Sequence, residues 1–507
     1  MGEYKVCCDI SFAFTKGLFI MSGYKTAVQF FQENNLLQAK EHIMPLLKSD
    51  PTDPKLWHLY GIIAARQQHT DLAINSLNKA CALSPNNGIF LFNLANAYRQ
   101  AKLLDQSIAT YEQALQFSQD KRPVFINYGI ALKENGLYDK ALTVFHTILN
   151  NHANDVQAYN NMGNVFTEMG QYTPAMAYYE KALQLNPDDE EAHRNKALLL
   201  LIQGKLKQGF EEYEWRFVRN GEPLKRNLKP PLWDGSDLSD CHIFVWGEQG
   251  LGDEICFASV FPELIQKAKE VSIECAPRLQ PIFKRSFPET TVVPFKKDPA
   301  NELSHFSTAD FHCPSGSLMR YLRTSFDQFH KQAGYLKADP AKVRAIKARY
   351  HTNDNKKKVG ISWTSAIDYD HPAKLKLWGP ILSCPNVQFY NLQYGDCLAE
   401  IEQVEKDFNI TIINDPDIDP LKNIDDQAAQ IQSMDIIISI GGTTAQLAGA
   451  LGKTVWVILP LSSDWHWFSK RDDSPWYPGM RFFRQPVLKD WESVIGNVSN
   501  ALKQWIQ

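Results

Sequence analysis

The sequence predicts a multidomain protein in which an all-α array of helical hairpins is followed by an α/β region with two parallel sheets. Two observations carry this prediction. Small and large apolar residues recur about every 34 residues in the first part of the chain. In the second part, short β-branched runs alternate with helical segments, which is typical of strands buried on both faces. A length of 507 residues also favours several domains, since one hydrophobic core rarely organises so long a chain.

The composition is that of a folded protein and argues against several classes of function. Hydrophobic residues make up 44% and charged residues 22% of the chain, which are ordinary globular values. A net charge of -4 without a long basic run argues against nucleic acid as the main partner. The nine cysteines show no metal-ligand spacing, so neither structural zinc nor a disulfide framework is expected, and their usage fits the cytoplasm.

Residues 1–19 are interpreted as an extension ahead of the first hairpin. Their apolar patches are interrupted by Asp9 and Lys16 and lack a small-residue cleavage site, which is not typical of a secretory signal. The most apolar later stretch contains Gln446, Lys453 and several glycines, so it does not predict a transmembrane helix. We therefore expect a cytoplasmic protein without a membrane span.

Aligning the first part of the chain on itself places a column of mostly large residues and a column of small residues in register. The first column holds Trp57, Leu91, Phe125, Tyr159 and His193, and the second holds Gly61, Ala95, Gly129, Gly163 and Ala197. Small residues are expected where two helices must touch. The pattern resembles the tetratricopeptide repeat, in about six units over residues 20–222.

This resemblance implies a stacked array whose concave groove binds an extended peptide or a protein partner. Amide side chains on the first helices of successive units are predicted to line the groove: Asn93, Asn127 and Asn161, with Asn96, Asn160 and Asn164 beside them. Such amides can hydrogen-bond a bound backbone. The alternative is that the array only scaffolds the region after it, and that these asparagines are ordinary residues of exposed helix faces.

A Pro, Gly and Asp-rich linker at residues 223–240 is predicted to separate the array from the α/β region. Strands are predicted in HIFVWGE, EVSIECA, TTVVPF and DFHCP, and then in KKVGISW, VQFYNLQY, ITIIND, MDIIISI and KTVWVILP. They predict two Rossmann-like halves at residues 241–340 and 356–507, joined by a basic helical connector at 341–355. Ligands of such sheets bind at the carboxyl ends of the strands, so the loops there are the candidate sites.

The first of these loops reads WGEQGLGDE. Its glycines, Gly247, Gly250 and Gly252, allow a sharp turn and close approach of a ligand, and Asp253 follows near the start of the next helix. The alternative is a tight turn in which Asp253 caps the helix.

A second Gly turn lies in the other half. It follows a buried strand, and Gly442, Thr443 and Thr444 open a helix of small residues. Free N–H groups and two hydroxyls at a helix start suit phosphate oxygens. The alternative, which is compatible with phosphate binding, is that the small residues only allow the helix to pack closely on its sheet.

Several ordered motifs together resemble the heptosyltransferase-like glycosyltransferases that follow tetratricopeptide arrays in bacteria: GEQGLGDE, KVGISW, NLQYGD, GGTTAQLAGALGKTVWV and WHWFSKRDDSPWYPGMRFFRQ. The resemblance implies a GT-B type pair of Rossmann domains and an inverting transfer with Asp253 as catalytic base. It also implies a nucleotide-sugar site formed by Gly250, Gly252, Trp363, Lys374, Lys376, Gln393, Gly442, Thr443, Thr444 and Gln446. The nucleotide sugar is then the donor substrate, and no further cofactor is expected.

The sequence departs from that family at the second turn. The family often has Asp-Thr at Gly441-Gly442 and His at Gln446, so a nucleotide contact is expected either to be missing or to be replaced by Thr443 and Thr444. A basic residue from the segment after KVGISW is expected to balance the diphosphate, with His371, Lys374 and Lys376 as alternatives.

Acidic pairs at Asp368/Asp370, Asp415/Asp417 and Asp417/Asp419 are interpreted as turn and cap residues, and no metal is predicted. The loop rich in aromatic residues, with Trp465, His466, Trp467, Arg471, Asp473, Trp476 and Tyr477, either stacks on a base or sugar or closes the core.

The leading hypothesis is therefore sugar transfer from a nucleotide donor to a hydroxyl acceptor, with the array recruiting a protein partner, the acceptor or a membrane-associated assembly. One alternative is a catalytically inactive transferase fold that serves as an interaction scaffold. Another is a peptide-binding adaptor whose α/β part senses a nucleotide.

Overall fold

The computed structural model describes residues 16–219, 222–223, 226, 228–295, 308–329, 333–351, 355–364 and 374–507. The chain divides into two compact units. The first runs to Phe166 and includes Ala177–Pro187, and the second comprises Thr167–Met176 and Asp188–Gln507. The predictions for Asp368, Asp370 and His371 fall outside the described residues.

Helices follow one another through the first part of the chain, and the first eight pack against their neighbours. Their bounds are α1 Lys16–Gln32, α2 Leu36–Ser49, α3 Pro54–Arg66, α4 Thr70–Leu83, α5 Gly88–Gln100, α6 Leu104–Phe117, α7 Arg122–Glu134, α8 Tyr138–Asn151, α9 Val156–Glu168, α10 Tyr172–Leu185, α11 Glu190–Ile202 and α12 Leu206–Glu212. No helix among the described residues is both long and apolar enough to cross a bilayer.

The small column of the repeat is explained by close contact between the two helices of a hairpin. A methyl group added at Gly61 would lie 2.6 Å from Leu77, and one at Gly129 would lie 2.5 Å from Phe145. These distances are shorter than carbon atoms tolerate, so a large partner on the second helix requires glycine opposite it. The periodic pattern therefore reports helix packing.

Polar pairs between residues about one repeat apart join successive hairpins. Asn93 Nδ2 lies 2.6 Å from His58 Nε2, and Arg99 Nη1 donates to Glu134 Oε1 at 2.7 Å. Burial lowers the pKa of His58 to about 3, so its ring is neutral and can accept the Asn93 amide proton. These contacts fix the register between neighbouring repeats in the first unit.

Parallel strands form two sheets in the second unit. The strands are β1 Val218–Arg219, β2 Glu222–Pro223, β3 His242–Trp246, β4 Glu270–Cys275, β5 Thr291–Pro294, β6 Phe311–Pro314, β7 Lys357–Ser362, β8 Val387–Asn391, β9 Ile412–Ile413, β10 Ile436–Ile440, β11 Val455–Leu459 and β12 Met480–Arg484. The sheets have the orders β5-β4-β3-β6 and β12-β11-β10-β7-β8-β9, and β1 and β2 form a separate antiparallel ribbon. Every strand proposed from the sequence is present, whereas β1, β2 and β12 were not predicted.

Helices connect these strands. Their bounds are α13 Leu251–Phe257, α14 Phe261–Lys267, α15 Gln280–Ser286, α16 Met319–Leu322, α17 Pro340–Arg349, α18 Gly379–Leu382, α19 Leu398–Phe408, α20 Ile424–Gln432, α21 Thr443–Ala450 and α22 Trp491–Ile506. The central strands β10 and β11 are buried throughout, as their continuous apolar sequences require.

The last helical hairpin, α11 and α12, belongs to the second unit, although the sequence placed it in the array up to residue 222. Its Phe210 contacts Trp465 edge to face, with ring centroids 5.8 Å apart. Ser469 N donates to Ile202 O at 2.9 Å. The apolar face of this hairpin is therefore buried in the α/β core.

Candidate functional site

The turn after β3 holds the predicted base, Asp253. The helix α13 begins at Leu251, and Gly250 N donates to Asp253 Oδ2 at 3.2 Å. Asp253 thus caps the turn, as the alternative interpretation proposed, and its side chain nevertheless stays 27% exposed. Capping and access to a ligand are compatible here.

A buried histidine lies between Asp253 and a second carboxylate. His466 Nε2 is 3.4 Å from Asp253 Oδ1, and His466 Nδ1 is 3.4 Å from Asp464 Oδ2. Burial is the largest single influence and lowers the pKa of His466, but the charges of Asp464 and Cys256 and the contacts with both aspartates together raise this pKa well above the ordinary value. Burial likewise opposes ionisation of Asp253, yet His466 brings its pKa below the usual range. At neutral pH the two groups are therefore an imidazolium and a carboxylate.

Two further carboxylates lie close behind the turn, and sequence reasoning did not identify them. Burial raises the pKa of Glu254 to about 7, although a hydrogen bond of 2.9 Å from Ala276 N to Glu254 Oε2 acts to lower it. Glu248 is paired with Arg216, at 2.6 Å between Oε1 and Nη2. The only sequence signal for these residues was their place in the GEQGLGDE motif.

In the second turn, the predicted phosphate ligands differ in accessibility. Thr443 is half-buried, and a methyl group added at Gly252 would lie 3.4 Å from its Oγ1. Thr444 is buried, and its hydroxyl accepts from Gln427 Nε2 at 3.3 Å. Gln446 is also buried and accepts a hydrogen bond from Tyr477. The starts of α13 and α21 thus lie side by side, with Thr443 as the accessible hydroxyl.

The structure leaves no room for a side chain at Gly441. A methyl group at this position would lie 2.7 Å from Trp467 Nε1. An aspartate therefore does not fit unless the indole moves. The aromatic loop closes the core here, as one of the two interpretations proposed, because Trp465, Trp467, Trp476 and Tyr477 are all buried.

The residues predicted after β7 and β8 are engaged within the protein. Trp363 is fully buried and donates from Nε1 to Glu400 Oε2 at 2.8 Å. Gln393 Oε1 accepts from Trp363 N and Thr364 N at 3.0 and 2.9 Å. Both side chains stabilise the end of β7, and their contact with a nucleotide stays a prediction.

The candidate cations in the following segment have different surroundings. Lys376 is 70% exposed and pairs with Asp407 at 3.0 Å. Lys374 is exposed at the start of a short 3-10 turn. Lys374 therefore remains available to balance a diphosphate within the described part of this segment.

The arrangement of the acidic pairs and the cysteines does not test the prediction that no metal is bound. Asp415 and Asp417 hold Arg349 of the connector helix, at 2.6 and 2.8 Å. Across the described residues, no group of three or more His, Cys, Asp or Glu side chains is arranged to hold a metal ion. Metal-independent chemistry stays a prediction.

The three groove asparagines do not share one environment. Asn93 is fully buried against His58, so the prediction that it lines an open groove is wrong. Asn161 is 8% exposed and donates to Gln157 O at 2.9 Å within its own helix. Asn127 is half-buried and donates to Pro123 O. Packing between neighbouring first helices buries positions that the repeat pattern alone does not distinguish.

Comparison with known proteins supports the repeat array. Models of the tetratricopeptide repeat family match residues 58–122 and 156–189. Two solved structures similar to the chain are repeat proteins. One, from Parabacteroides merdae, is 20% identical, covers 41% of this chain and 82% of its own, and has a TM-score of 0.37. The other, from Thermus thermophilus, is 20% identical, covers 36% and 99%, and has a TM-score of 0.31.

A longer relative extends the likeness beyond the repeats. The chain is 31% identical over 326 residues to Protein FlbA of Caulobacter vibrioides, covering 61% of this chain and 54% of FlbA. The chain thus spans about half the length of that relative. Because the covered share of this chain is longer than everything before residue 223, the alignment includes α/β residues.

Proposed function

We propose that the α/β unit transfers a sugar from a nucleotide-sugar donor to a hydroxyl acceptor. The observation that carries the proposal is the ionised, partly exposed carboxylate of Asp253 at the carboxyl end of β3, which accepts a hydrogen bond from Gly250 N and lies 3.4 Å from His466 Nε2. Thr443, at the start of α21, lies beside it across Gly252. A base next to a helix start is the combination that metal-free sugar transfer requires.

In the proposed reaction, the acceptor hydroxyl attacks the anomeric carbon of the donor. The hydroxyl proton passes to Asp253 as the new carbon–oxygen bond forms, and the bond from the anomeric carbon to the diphosphate oxygen breaks. The diphosphate leaves with that electron pair. Free N–H groups at the start of α21 and the Thr443 hydroxyl would stabilise its charge. The resemblance to metal-independent, inverting transferases supports this scheme.

A second function is favoured by a specific observation. Glu254 interacts with the charge of Asp253, and Asp464 lies on the other side of His466, and carboxylates near a site disfavour an anionic ligand there. Thr444 and Gln446 are also occupied by internal hydrogen bonds. Both features suit a transferase fold that has become an interaction scaffold.

Calorimetric titration of the full chain with uridine, guanosine, cytidine and adenosine diphosphates, and with their sugar conjugates, separates these functions. Tighter binding of one sugar conjugate than of its free diphosphate supports transfer. Binding of a nucleotide without sugar preference indicates a sensor. Absence of binding across the panel favours the scaffold.

We further propose that the array binds a protein partner. Models of the tetratricopeptide repeat family match this part of the chain, and stacked repeats of this kind form concave binding grooves. Asn127→Ala should weaken recovery of a bound partner while changing the free energy of unfolding by less than about 0.5 kcal/mol, since the amide is partly exposed. Asn93→Ala is the matched comparison in the preceding repeat. It should cost about 1–3 kcal/mol, because His58 would lose its buried partner.

Pull-down recovery and thermal unfolding should be measured on both variants. Partner recovery by Asn127→Ala equal to that of the unaltered chain would argue against a groove role for this residue.

A further inference from the structure

An arginine from the end of the repeat array reaches the Gly-rich turn. After α12 the chain forms a 3-10 turn, Tyr213–Phe217, and from it Arg216 enters the first half of the α/β unit. Arg216 Nε donates to Glu248 Oε2 at 2.7 Å, and Nη2 donates to Oε1 at 2.6 Å. The two side chains are 4% and 6% exposed. A buried pair with two parallel hydrogen bonds has a narrowly defined geometry.

The rest of the guanidinium is equally constrained. Nη1 donates to Tyr213 O at 2.9 Å and to Glu214 Oε1 at 2.8 Å, and Nη2 also donates to Ser317 Oγ at 2.8 Å. The group stacks over Phe217 at 4.1 Å from the ring centroid. Arg216 therefore has one position, set by the end of the array.

Glu248 passes this constraint to the turn. Its Oε1 also accepts from Gly316 N at 2.9 Å, so the side chain is held from two directions. The next residue, Gln249, has a φ of 64°, a left-handed conformation that is unfavourable for a residue with a side chain. Gly250 N then bonds Asp253. The strained residue thus lies between two anchors, Glu248 and Asp253.

We propose that Arg216 is a positioning residue, which acts through Glu248 to hold the turn that places Asp253. The 3-10 turn that follows the last hairpin is then a part of the catalytic site and not of a separable recruiting module. The link to catalysis rests on the proposed function, whereas the anchoring of the turn is independent of it.

Arg216→Lys in the full chain tests the anchoring. Lysine keeps the charge but cannot form the two parallel hydrogen bonds. Amide hydrogen exchange in peptides covering residues 247–253 should accelerate by about tenfold or more, because the strained turn opens more often. The matched control is Arg323→Lys: Arg323 is 3% exposed and pairs with Glu263 at 2.8 Å, away from the turn. This control should not accelerate exchange in the same peptides.

Unchanged exchange in Arg216→Lys, or equal acceleration in both variants, would overturn the proposal. If Arg216→Lys does not fold, Glu248→Gln provides the same test, since it removes the charge and keeps the shape. It should also accelerate exchange in the turn, and normal protection there would reject the anchoring.

The catalytic part has its own measurement. With a donor identified by titration, Arg216→Lys should lower kcat about tenfold or more and leave the donor KM near its original value, because donor contacts lie on α21. An unchanged kcat with accelerated exchange would reject the role in catalysis. Absence of any nucleotide binding by the unaltered chain would reject the proposed function and leave the exchange result valid.

Discussion

The two Gly turns of the α/β unit share a sequence signal and differ in what they leave accessible. Each follows a buried strand and opens a helix. In the first turn Asp253 remains 27% exposed and faces His466. In the second, Thr444 is buried and bonded to Gln427, and only Thr443 of the two threonines is half-exposed.

The difference arises from what packs around each turn. The first is held by Glu248, which bonds Arg216 and Gly316 N, and its Asp253 stays partly exposed. The second is pressed against the aromatic loop, with Trp467 too close to Gly441 for any side chain. The same Gly-rich pattern therefore leaves an acidic side chain partly exposed in one turn and gives close packing in the other.

The largest expected effect is on turnover, through Asp253→Asn. Asparagine preserves size and can still accept the hydrogen bond from Gly250, but it cannot take a proton. If Asp253 is the base, sugar transfer should fall by about 10²- to 10⁴-fold, the range for a lost acid or base group. Thermal unfolding on the same preparation serves as the control, because Asn is nearly as good a cap as Asp.

Near-normal turnover in this variant would mean that Asp253 only caps the turn. The pH dependence provides a second check. His466 lowers the pKa of Asp253, so activity should persist on acidification until the pH falls below the ordinary carboxyl range. In His466→Gln this acid limit should move to higher pH.

The next largest effect concerns stability and comes from Glu254. Its pKa of about 7 lies above the value of 4.5 for a free carboxyl, so folding favours the protonated form. Stability is therefore lost as the pH rises from about 4.5 through 7, by about 3 kcal/mol in total. Glu254→Gln removes this cost. The variant should be more stable than the unaltered chain at pH 8 and about equally stable at pH 4.

Denaturant unfolding at both pH values measures the difference. A Glu254→Gln variant with the same stability deficit or gain at both pH values would show that Glu254 does not titrate in this range.

Much of the fold was predictable because its signals are local. The glycine column follows from contacts such as Gly61 with Leu77, which recur in every hairpin where a large residue faces a small one. The buried strands β10 and β11 are continuous apolar runs, which the sequence displays directly. Strand β12 was missed because it lies in the segment rich in aromatic residues, where apolar residues that suit a strand stand among residues that favour turns.

The site was less predictable because accessibility depends on distant residues. Thr443 and Thr444 are adjacent in sequence, and only the approach of Gln427 from α20 distinguishes them. Asn93 and Asn127 occupy equivalent positions in successive repeats, and only His58 in the preceding repeat buries the first. Arg216 falls within the residues predicted as the repeat array and Glu248 within the Gly-rich turn, so neither position indicates that the two side chains pair.

The smallest effect, and the sharpest test of the difference between the turns, comes from replacing each threonine by valine. Thr444→Val should lower the free energy of unfolding by about 1 kcal/mol, because Gln427 loses one of its hydrogen bonds while its bond to Leu392 O remains. Nucleotide affinity should not change, since the Thr444 hydroxyl is buried. Thr443→Val should do the reverse: stability stays within about 0.5 kcal/mol, and nucleotide affinity falls about tenfold through the loss of a charge-assisted hydrogen bond. Titration calorimetry and denaturant unfolding on the two variants decide the matter. Weaker nucleotide binding by Thr444→Val than by Thr443→Val would mean that the second turn rearranges around its ligand, so that its buried hydroxyl, and not the exposed one, contacts the phosphate.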